Sequence, residues 1–466
     1  MYTKNLHIHF VGIGGIGMSG IAKILKQSGY TVSGCDPDIN QETIDQLQQL
    51  GCLIYEGNNT RQCRNQIIDI LVYIPMYEHT IPTISAEIQH ARNSGIPTIT
   101  RAQMLAELMR TKYSIAVTGS HGKTTTSALI AHILLCASYD PTIVVGGNLK
   151  NISSNAYSGS GDFFVAEADE SDRSFLQLNP TLAVITNIDL EHLETYSDLD
   201  DIKNAFMQFI NKVPFYGKAI VCIDNENIAA LRPLLTAKLL TYGIHNSAHI
   251  QGKNIQLHAT NSSFDVYNND TKLGSTILPL AGIHNTYNAL GAITLALEIG
   301  IDFTTITQNL ASFSGVDRRF SFHGIYQGAE IFDDYGHHPE EITCAITVAR
   351  KRAKNKLTVV FQPHRYTRSE KLWNHFITSF SQQTIDTLII TDIYSAGEHP
   401  INNITSENMV KALKSAHPLL NVMYIPFSDD FDKIKEKIAQ ITQPNDLILF
   451  LGAGRMHLIA QQLTHP

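Results

Sequence analysis

No stretch of the sequence holds ~20 consecutive apolar residues, so no helix in it is long enough to span a bilayer. Cysteine is scarce and scattered. The six residues (Cys35, Cys52, Cys63, Cys136, Cys222 and Cys344) include no Cys-x-x-Cys pair, which argues against a thiolate zinc site or a disulfide framework and fits a reducing compartment. Basic blocks are missing too. Lys and Arg total 35 against 43 Asp and Glu, giving a formal net charge of −8. Nucleic acid and anionic membranes are therefore poor partners, and a phosphate-bearing substrate must be held by a local site. The opening residues run from an apolar stretch into a glycine turn, without a small-residue cleavage site, so no secretory signal is expected. These absences predict a cytoplasmic protein. The lone tryptophan, Trp373, reads as a core residue.

What is present is a chain of 466 residues, 43% hydrophobic, which suffices for about three domains with separate cores. Apolar strand-like runs at 6–11, 114–118, 163–166, 182–186, 218–223, 357–361, 387–391 and 446–451 alternate with helix-like stretches. That rhythm predicts an α/β fold with mainly parallel sheets. Residues 243–279 are polar and rich in Asn, and read as a small antiparallel insertion. Breaks near 110–113 and 314–323 divide the chain into units 1–110, 111–317 and 318–466.

Two glycine loops carry chemistry. In GIGGIGMSG (12–20), a strand runs into a turn and a helix start, and Gly12, Gly14 and Gly17 satisfy G-x-G-x-x-G. Such a turn lets backbone approach a diphosphate whose charge the helix N-terminus stabilises. Asp36, 19 residues beyond Gly17, is placed to hold ribose hydroxyls. NAD and a UDP-sugar satisfy this loop equally. In TGSHGKTTT (118–126), the first glycine of the usual phosphate loop is displaced to Gly119, which makes a shorter variant. Its amides would cradle phosphates, Lys123 would meet the β- and γ-phosphates, and the Thr124 hydroxyl would reach magnesium. Acids follow at two strand ends, FFVAEADESDRSF (163–175) and TNIDLEH (186–192). Glu167 and Asp169, with Thr124, can supply oxygens to magnesium; His192 is either a nitrogen ligand or the holder of a metal-bound water.

Five further segments stand in order after these: GIHNTYNA (282–289), FSGVDRRF (313–320), DDYGHHPEEI (333–342), FQPHRYTR (361–368) and DIYSAGE (392–398). As an ordered set, from residue 6 to about 456, they resemble the Mur ligase family, in its L-alanine-adding branch. The resemblance implies a Rossmann-like UDP-binding domain, a central P-loop ATPase-like domain and a C-terminal Rossmann-like α/β domain. It implies an ATP-dependent ligase with UDP-N-acetylmuramate, L-alanine and ATP as substrates and Mg2+ as cofactor, acting as a monomer or weak homodimer. Gly14, Gly15, Ile16, Gly17, Met18 and Ser19 would hold the UDP moiety instead of NAD. Gly119, Ser120, His121, Gly122, Lys123, Thr124 and Thr125 would bind the ATP phosphates, and Thr124, Glu167 and His192 the metal. His284, Asn285 and Asn288 would face adenine and ribose; Arg319 would reach the phosphates and Asp334 the ribose. Tyr335, His337, Arg365 and Arg368 would surround the amino acid.

The sequence departs from the family's pattern at two places. VYIPMY (72–77) replaces a Ser-Ser-Ala turn, and GAGR (452–455) ends in Arg455 where the family has an acid. The position of a carbamylated lysine in several relatives falls near Met207, as in the alanine-adding branch. In chemical terms, Arg365 and Arg368 suit bidentate grip of a carboxylate. His337, if its pKa is near neutrality, is placed to position or deprotonate an amine. The His337-His338-Pro339 run equally suits a helix start. An NAD-dependent oxidoreductase would use residues 12–17 but leave the second loop and its acids idle.

Overall fold

The computed structural model describes residues 6–60, 63, 67–428 and 430–464. Its strands gather into three sheets. The first contains β1 (His7–Val11), β2 (Thr31–Asp36), β3 (Leu53–Glu56), β4 (Ile70–Tyr73) and β5 (Thr98–Thr100), all parallel, in the order β3-β2-β1-β4-β5. The chain winds outward from β1 on one side and then on the other. The switch point therefore lies at the carboxyl end of β1, where the first glycine loop begins.

The second sheet has ten strands. At its centre β6 (Tyr113–Thr118) lies between β9 (Phe163–Glu167) and β10 (Leu182–Ile185), parallel to both. Beyond β9 come β7 (Thr142–Leu149) and then β8 (Ser154–Tyr157), which is antiparallel to β7. Beyond β10 come β11 (Lys218–Cys222), β12 (Leu239–Gly243), β13 (Ile250–Leu257), β14 (Ser262–Asn268) and β15 (Thr271–Leu278). The polar stretch at 243–279 is thus no separate insertion. Its strands continue the central sheet through the parallel pairing of β13 with β12, which satisfies an edge that would otherwise expose a row of unpaired amides.

The third sheet holds β16 (Ser321–Tyr326), β17 (Ala329–Asp334), β18 (Leu357–Phe361), β19 (Thr387–Ile390), β20 (Val422–Tyr424) and β21 (Leu447–Leu451), ordered β16-β17-β21-β18-β19-β20. Among the described residues of this sheet, only the β16–β17 pair is antiparallel. Successive side chains of a strand point to opposite faces, and both faces here are apolar. Val359 and Phe361 pack into one cluster with Ile342, Ile346, Phe376 and Phe380, whereas Val360 packs into another with Phe450, Ile459 and Leu463. Trp373 sits partly buried against the first cluster.

Two compact units result: Met1–Asn254 with Phe264–Ile277 and Tyr287–Ser314, and Ile255–Ser263 with Leu278–Thr286 and Gly315–Pro466. Within the first unit, the helix Ile16–Gln27 that follows β1 also packs on β7 and β8. Lys23, buried on that helix, donates to Gln46 Oε1 (2.5 Å), Asn155 Oδ1 (2.9 Å) and Ser154 Oγ (3.3 Å). Asn155 in turn donates to the Ile16 carbonyl at 2.6 Å. Lys23→Ala removes one donor that serves three buried or half-buried acceptors. It is expected to lower stability by ~1–3 kcal/mol in chemical denaturation; an unchanged midpoint would show that this lysine does not tie the helix to β8.

Candidate active site

The loop after β6 is shaped by glycine where only glycine fits. Gly119 has φ +139, and a Cβ there would lie 2.0 Å from Thr186 Oγ1; Gly122 has φ +80, and its Cβ would lie 2.3 Å from Asn288 Oδ1. Both are conformations that L side chains rarely adopt. The end of β10 braces the turn. The His121 N–H donates to Asn187 Oδ1 (2.7 Å), and the His121 carbonyl accepts from Thr186 Oγ1 (2.5 Å) and Asn187 Nδ2 (3.1 Å). The helix Lys123–Cys136 starts directly at the turn and is buried from Thr124 to Leu134, so its N-terminal amides are fixed in place. Thr124 and Thr125 lie at this first turn, both buried.

Lys123 folds back over the turn. Its ammonium donates to the carbonyls of Gly119 (2.7 Å) and Ser120 (3.0 Å) and to Glu170 Oε1 (2.7 Å). Burial works against its charge, but Glu170, then Asp169, Glu167 and Glu191, outweigh that and hold its pKa above the ordinary lysine value. His192 Nε2 lies 3.3 Å from the same Glu170 oxygen and 3.7 Å from Glu191 Oε2, and its Nδ1 lies 3.6 Å from Glu194 Oε1. Burial again opposes the charge, and Glu170, Glu194 and Glu191 overcome it, raising His192 to about 9.

The sequence reading singles out Glu167 and Asp169. The structure adds Glu170 and Glu191, which come with His192 to within 4.8 Å of one another. Glu167 stands at the end of β9 beside Val117 of β6 and accepts the Gly146 N–H at 3.0 Å. Asp169 receives the Ser171 N–H (3.0 Å) and pairs with Arg101 at 3.4 Å. Glu170 sits in the quoted acidic run; nothing in residue type separates it from its neighbours, and only the turn after β9 aims it at Lys123.

The first glycine loop is held from β2. Gly12 and Ile13 N–H groups donate to the Cys35 carbonyl (2.8 and 3.1 Å), and the Gly14 N–H donates to Asp36 Oδ2 (2.9 Å). Asp36 is buried and also accepts from Asp38 N–H and Gln41 Nε2, so its carboxylate braces the loop. Gly14 is buried, Gly15 and Ile16 are exposed where the helix opens, and Gly17 closely approaches Arg101. Met18 and Ser19 are buried, and the Ser19 hydroxyl donates to the Ile16 carbonyl, so these two can offer a ligand only main chain. Tyr77, from the VYIPMY departure, has its ring 4.0 Å from where a Gly12 Cβ would stand. Met207 lies on the helix Leu199–Ile210.

In the second unit, functional segments crowd the carboxyl edge of the third sheet, where β17, β21, β18 and β19 end in register. Asp334 accepts N–H groups of Gly336 (2.7 Å) and Phe320 (2.8 Å); burial lifts its pKa to about 6 against the lowering pull of Arg319. The Arg318 and Arg319 guanidiniums lie 4.8 and 5.3 Å from the centre of the Tyr335 ring. Arg318 also donates to the Gly452 and Gly454 carbonyls, both at 2.9 Å. His337 Nδ1 meets the Tyr335 carbonyl at 3.1 Å. Its pKa is not near neutrality as expected: burial, then Arg368 and His364, push it well below the usual range despite Glu341, so it is a neutral imidazole. His338 caps the helix Pro339–Arg352 with Pro at its first turn, and the Glu341 carboxylate accepts the N–H groups of His337 (3.0 Å) and His338 (3.2 Å).

Arg365 caps the helix Tyr366–Lys371 with φ +69, a strained conformation for a long side chain. Arg368 Nη1 reaches His364 Nδ1 at 3.1 Å, and the His364 ring stacks on Tyr394 with centroids 5.4 Å apart. His364 and Tyr394 escape the sequence reading because neither residue type nor spacing marks them. Arg455 lies over the rings of Phe431 (5.2 Å) and Phe427 (5.9 Å). On the helix Ile283–Ile299, His284 and Asn285 belong to the second unit and Asn288 to the first. Burial and Arg319 lower His284 to about 4. Asn285 donates to the Ala281 carbonyl at 2.8 Å, and Asn288 Oδ1 accepts from Thr126 at 3.2 Å.

A glycine turn, a lysine and a helix start at the edge of a parallel sheet, with acids on both flanking strands, place the molecule in the phosphate-loop class of α/β proteins. Three family models match the chain: "Mur ligase family, catalytic domain" over residues 7–113, "Mur ligase middle domain" over 117–296 and "Mur ligase, glutamate ligase domain" over 318–454. A UDP-N-acetylmuramate–L-alanine ligase of Geobacter sp. (strain M21) is 44% identical over 99% of this chain and 98% of its own. One from Desulfotalea psychrophila is 45% identical over 98% and 97%. The crystal structure of the UDP-N-acetylmuramate–alanine ligase of Thermotoga maritima superposes with a TM-score of 0.81 at 27% identity, covering 98% of both chains. The chain belongs to the Mur ligase family, whose members are ATP-dependent ligases.

The depressed imidazole of His364 has a consequence for stability. Burial, then Arg368, Arg365 and Arg318, push its pKa from 6.5 to about 3. As pH falls from about 6.5 toward about 3, the unfolded chain takes up this proton and the folded chain does not, so stability is lost across that window. His364→Gln is expected to flatten the fall in the urea midpoint between neutral and acid pH. An identical slope in both proteins would contradict the burial of a neutral ring.

Proposed function

We propose that the chain adds L-alanine to the lactyl carboxylate of UDP-N-acetylmuramate, with ATP converted to ADP and phosphate, in peptidoglycan precursor synthesis. The observation that carries this reading is the Lys123–Glu170–His192 cluster at the joined ends of β6, β9 and β10, supported by full-length relatives that bear the ligase name. We further read the three sheets as three working domains: 1–110 for the UDP-sugar, 111–317 for ATP and 318–466 for the amino acid. The reaction belongs in the cytoplasm, where ATP is found. No helix among the described residues is long and apolar enough to cross a membrane.

An amide does not form from a free carboxylate and an amine without activation. In the proposed sequence, a lactyl carboxylate oxygen attacks the γ-phosphorus of ATP, the bond to the bridging oxygen breaks, and ADP leaves. The amine of alanine then attacks the acyl carbon, phosphate departs, and the amine's proton passes to solvent or a nearby base. The first step brings two anions together, so fixed positive charge must stand at the phosphoryl group. Lys123 supplies it by exchanging its carbonyl and Glu170 contacts for phosphate oxygens. The amides from Gly119 to Thr125 cradle the chain of phosphates.

The two carboxylates and one imidazole of Glu170, Glu191 and His192, with Glu167 on the same strand end as Glu170 and the Thr124 hydroxyl next to Lys123 in the chain, would suit a hard divalent cation that retains waters. Held by these residues, magnesium would supply positive charge toward phosphate oxygens. In the first sheet, the turn through Gly14 and exposed Gly15 and the start of the following helix would receive the UDP diphosphate. Arg365 and Arg368 would grip the alanine carboxylate. His337, held neutral, would accept a hydrogen bond from the ammonium and aim it; Tyr335 fixes its tautomer through the carbonyl contact. His284, Asn285 and Asn288 are assigned to adenosine, Arg319 to phosphate and Asp334 to ribose.

Phosphate release measured with UDP-N-acetylmuramate, ATP and a panel of L-amino acids tests this. Release should require all three substrates, favour alanine, and fall about 10³-fold or more in Lys123→Ala. Undiminished release in that variant would reject the ATP site. Preference for glycine or serine would move the acceptor and leave the ligase chemistry in place.

A further inference from the structure

A second cluster of ligating side chains lies in the first sheet, separate from the acids around Lys123. His9 of β1, Cys35 of β2, Cys63 and Glu87 of the helix Pro82–Asn93 are all buried, and their Nε2 or Nδ1, Sγ and carboxylate atoms lie within 4.8 Å of one another. Strand register explains half of this. His9 pairs with Ser33 and Val11 with Cys35, so His9 and Cys35 are diagonal neighbours on one face of the sheet. Helix periodicity explains Glu87, which shares its buried stripe with Ile84, Ile88 and Ala91. The sequence argued against a thiolate site because no two cysteines stand two residues apart. Here the topology, not local spacing, brings Cys35 and Cys63 together.

The donor spacing has room for one shared ion. His9 Nε2 to Glu87 Oε1 is 3.1 Å, and Cys35 Sγ to the two Glu87 oxygens is 3.4 and 3.5 Å. Zinc bonds of ~2.0 Å to N or O and ~2.3 Å to S give ligand–ligand edges of ~3.3–3.8 Å. Each donor is also oriented from behind. Ser33 Oγ holds His9 Nδ1 at 2.7 Å, which turns Nε2 toward the cluster; Thr60 Oγ1 donates to Cys63 Sγ at 3.1 Å; the Asn59 N–H donates to Glu87 Oε2. Such outer contacts are what fix metal ligands. A carboxylate inside an apolar layer of Val11, Leu71, Ile84 and Ile88 calls for a positive partner, and a cation shared with the imidazole and the two thiols would supply it.

We propose that His9, Cys35, Cys63 and Glu87 bind one zinc ion in a tetrahedral structural site. Soft thiolates with an imidazole select zinc over magnesium. The ion would tie β1, β2 and the helix Pro82–Asn93 together. Because the Cys35 carbonyl accepts the Gly12 and Ile13 amides, it would also set the first glycine loop.

The test uses the full chain purified under reductant from zinc-containing medium. Elemental analysis should find one more zinc per chain in the wild type than in Cys35→Ser/Cys63→Ser. Wild type reconstituted with Co2+ should show a thiolate-to-cobalt charge-transfer band, which the acidic cluster around His192 cannot produce because it holds no cysteine. That spectrum decides the matter even where the double variant fails to fold. Equal zinc content in both proteins, no charge-transfer band, or a Cys35–Cys63 disulfide in the purified chain would each overturn the proposal.

Discussion

One buried ammonium sets the terms for the first unit. Lys123 is surrounded by four carboxylates and leans on two carbonyls of its own loop, and no part of that arrangement makes sense apart from the others. Glu170, the buried carboxylate of the four, needs a cation beside it. The loop needs glycine at 119 and 122 to bend back far enough for the lysine to reach them. The strand order β10-β6-β9 is what delivers loop, Glu170 and His192 to a single edge. A triphosphate with a metal ion carries the same charges in a different distribution. Under the proposed ATP reading, a phosphate oxygen would take the place that Glu170 holds on Lys123.

The second unit solves the opposite problem. Arg318, Arg319, Arg365 and Arg368 gather at the end of the third sheet, and the imidazoles of His284, His337 and His364 beside them are kept uncharged. Under the proposed reading, these guanidiniums and neutral imidazoles would receive the carboxylate of the amino acid. Arg318 and Arg365 have positive φ, as do Phe320 between them in the chain and His192 in the first unit, among sixteen such non-glycine residues in the described part of the chain. Such conformations persist only where the surroundings enforce them.

Most of this was legible in the sequence where chemistry depends on local spacing. The strand before each glycine loop, the loops themselves and the acidic strand ends read directly, and β1, β6, β9 and β18 fall within a residue or two of their expected bounds. What could not be read depends on topology or on field. Glu170 and Glu167 are alike in type and lie in one run, and only the turn after β9 separates their partners. The imidazole of His337 looked ordinary until burial and Arg368 were placed around it. The polar stretch at 243–279 looked like an insertion because polarity marks an exposed edge as well as a loop. Cys35 and Cys63 share no local spacing motif, and only the fold brings them side by side.

The central claim is that Lys123 gives up Glu170 for the phosphates of ATP at the edge of β6. A crystal structure with a non-hydrolysable ATP analogue and magnesium tests it directly. The claim predicts the Lys123 ammonium on β- or γ-phosphate oxygens, with Glu170 and His192 turned to a shared ion or its waters. Nucleotide bound elsewhere, with Lys123 still on the Gly119 and Ser120 carbonyls and Glu170, would contradict it.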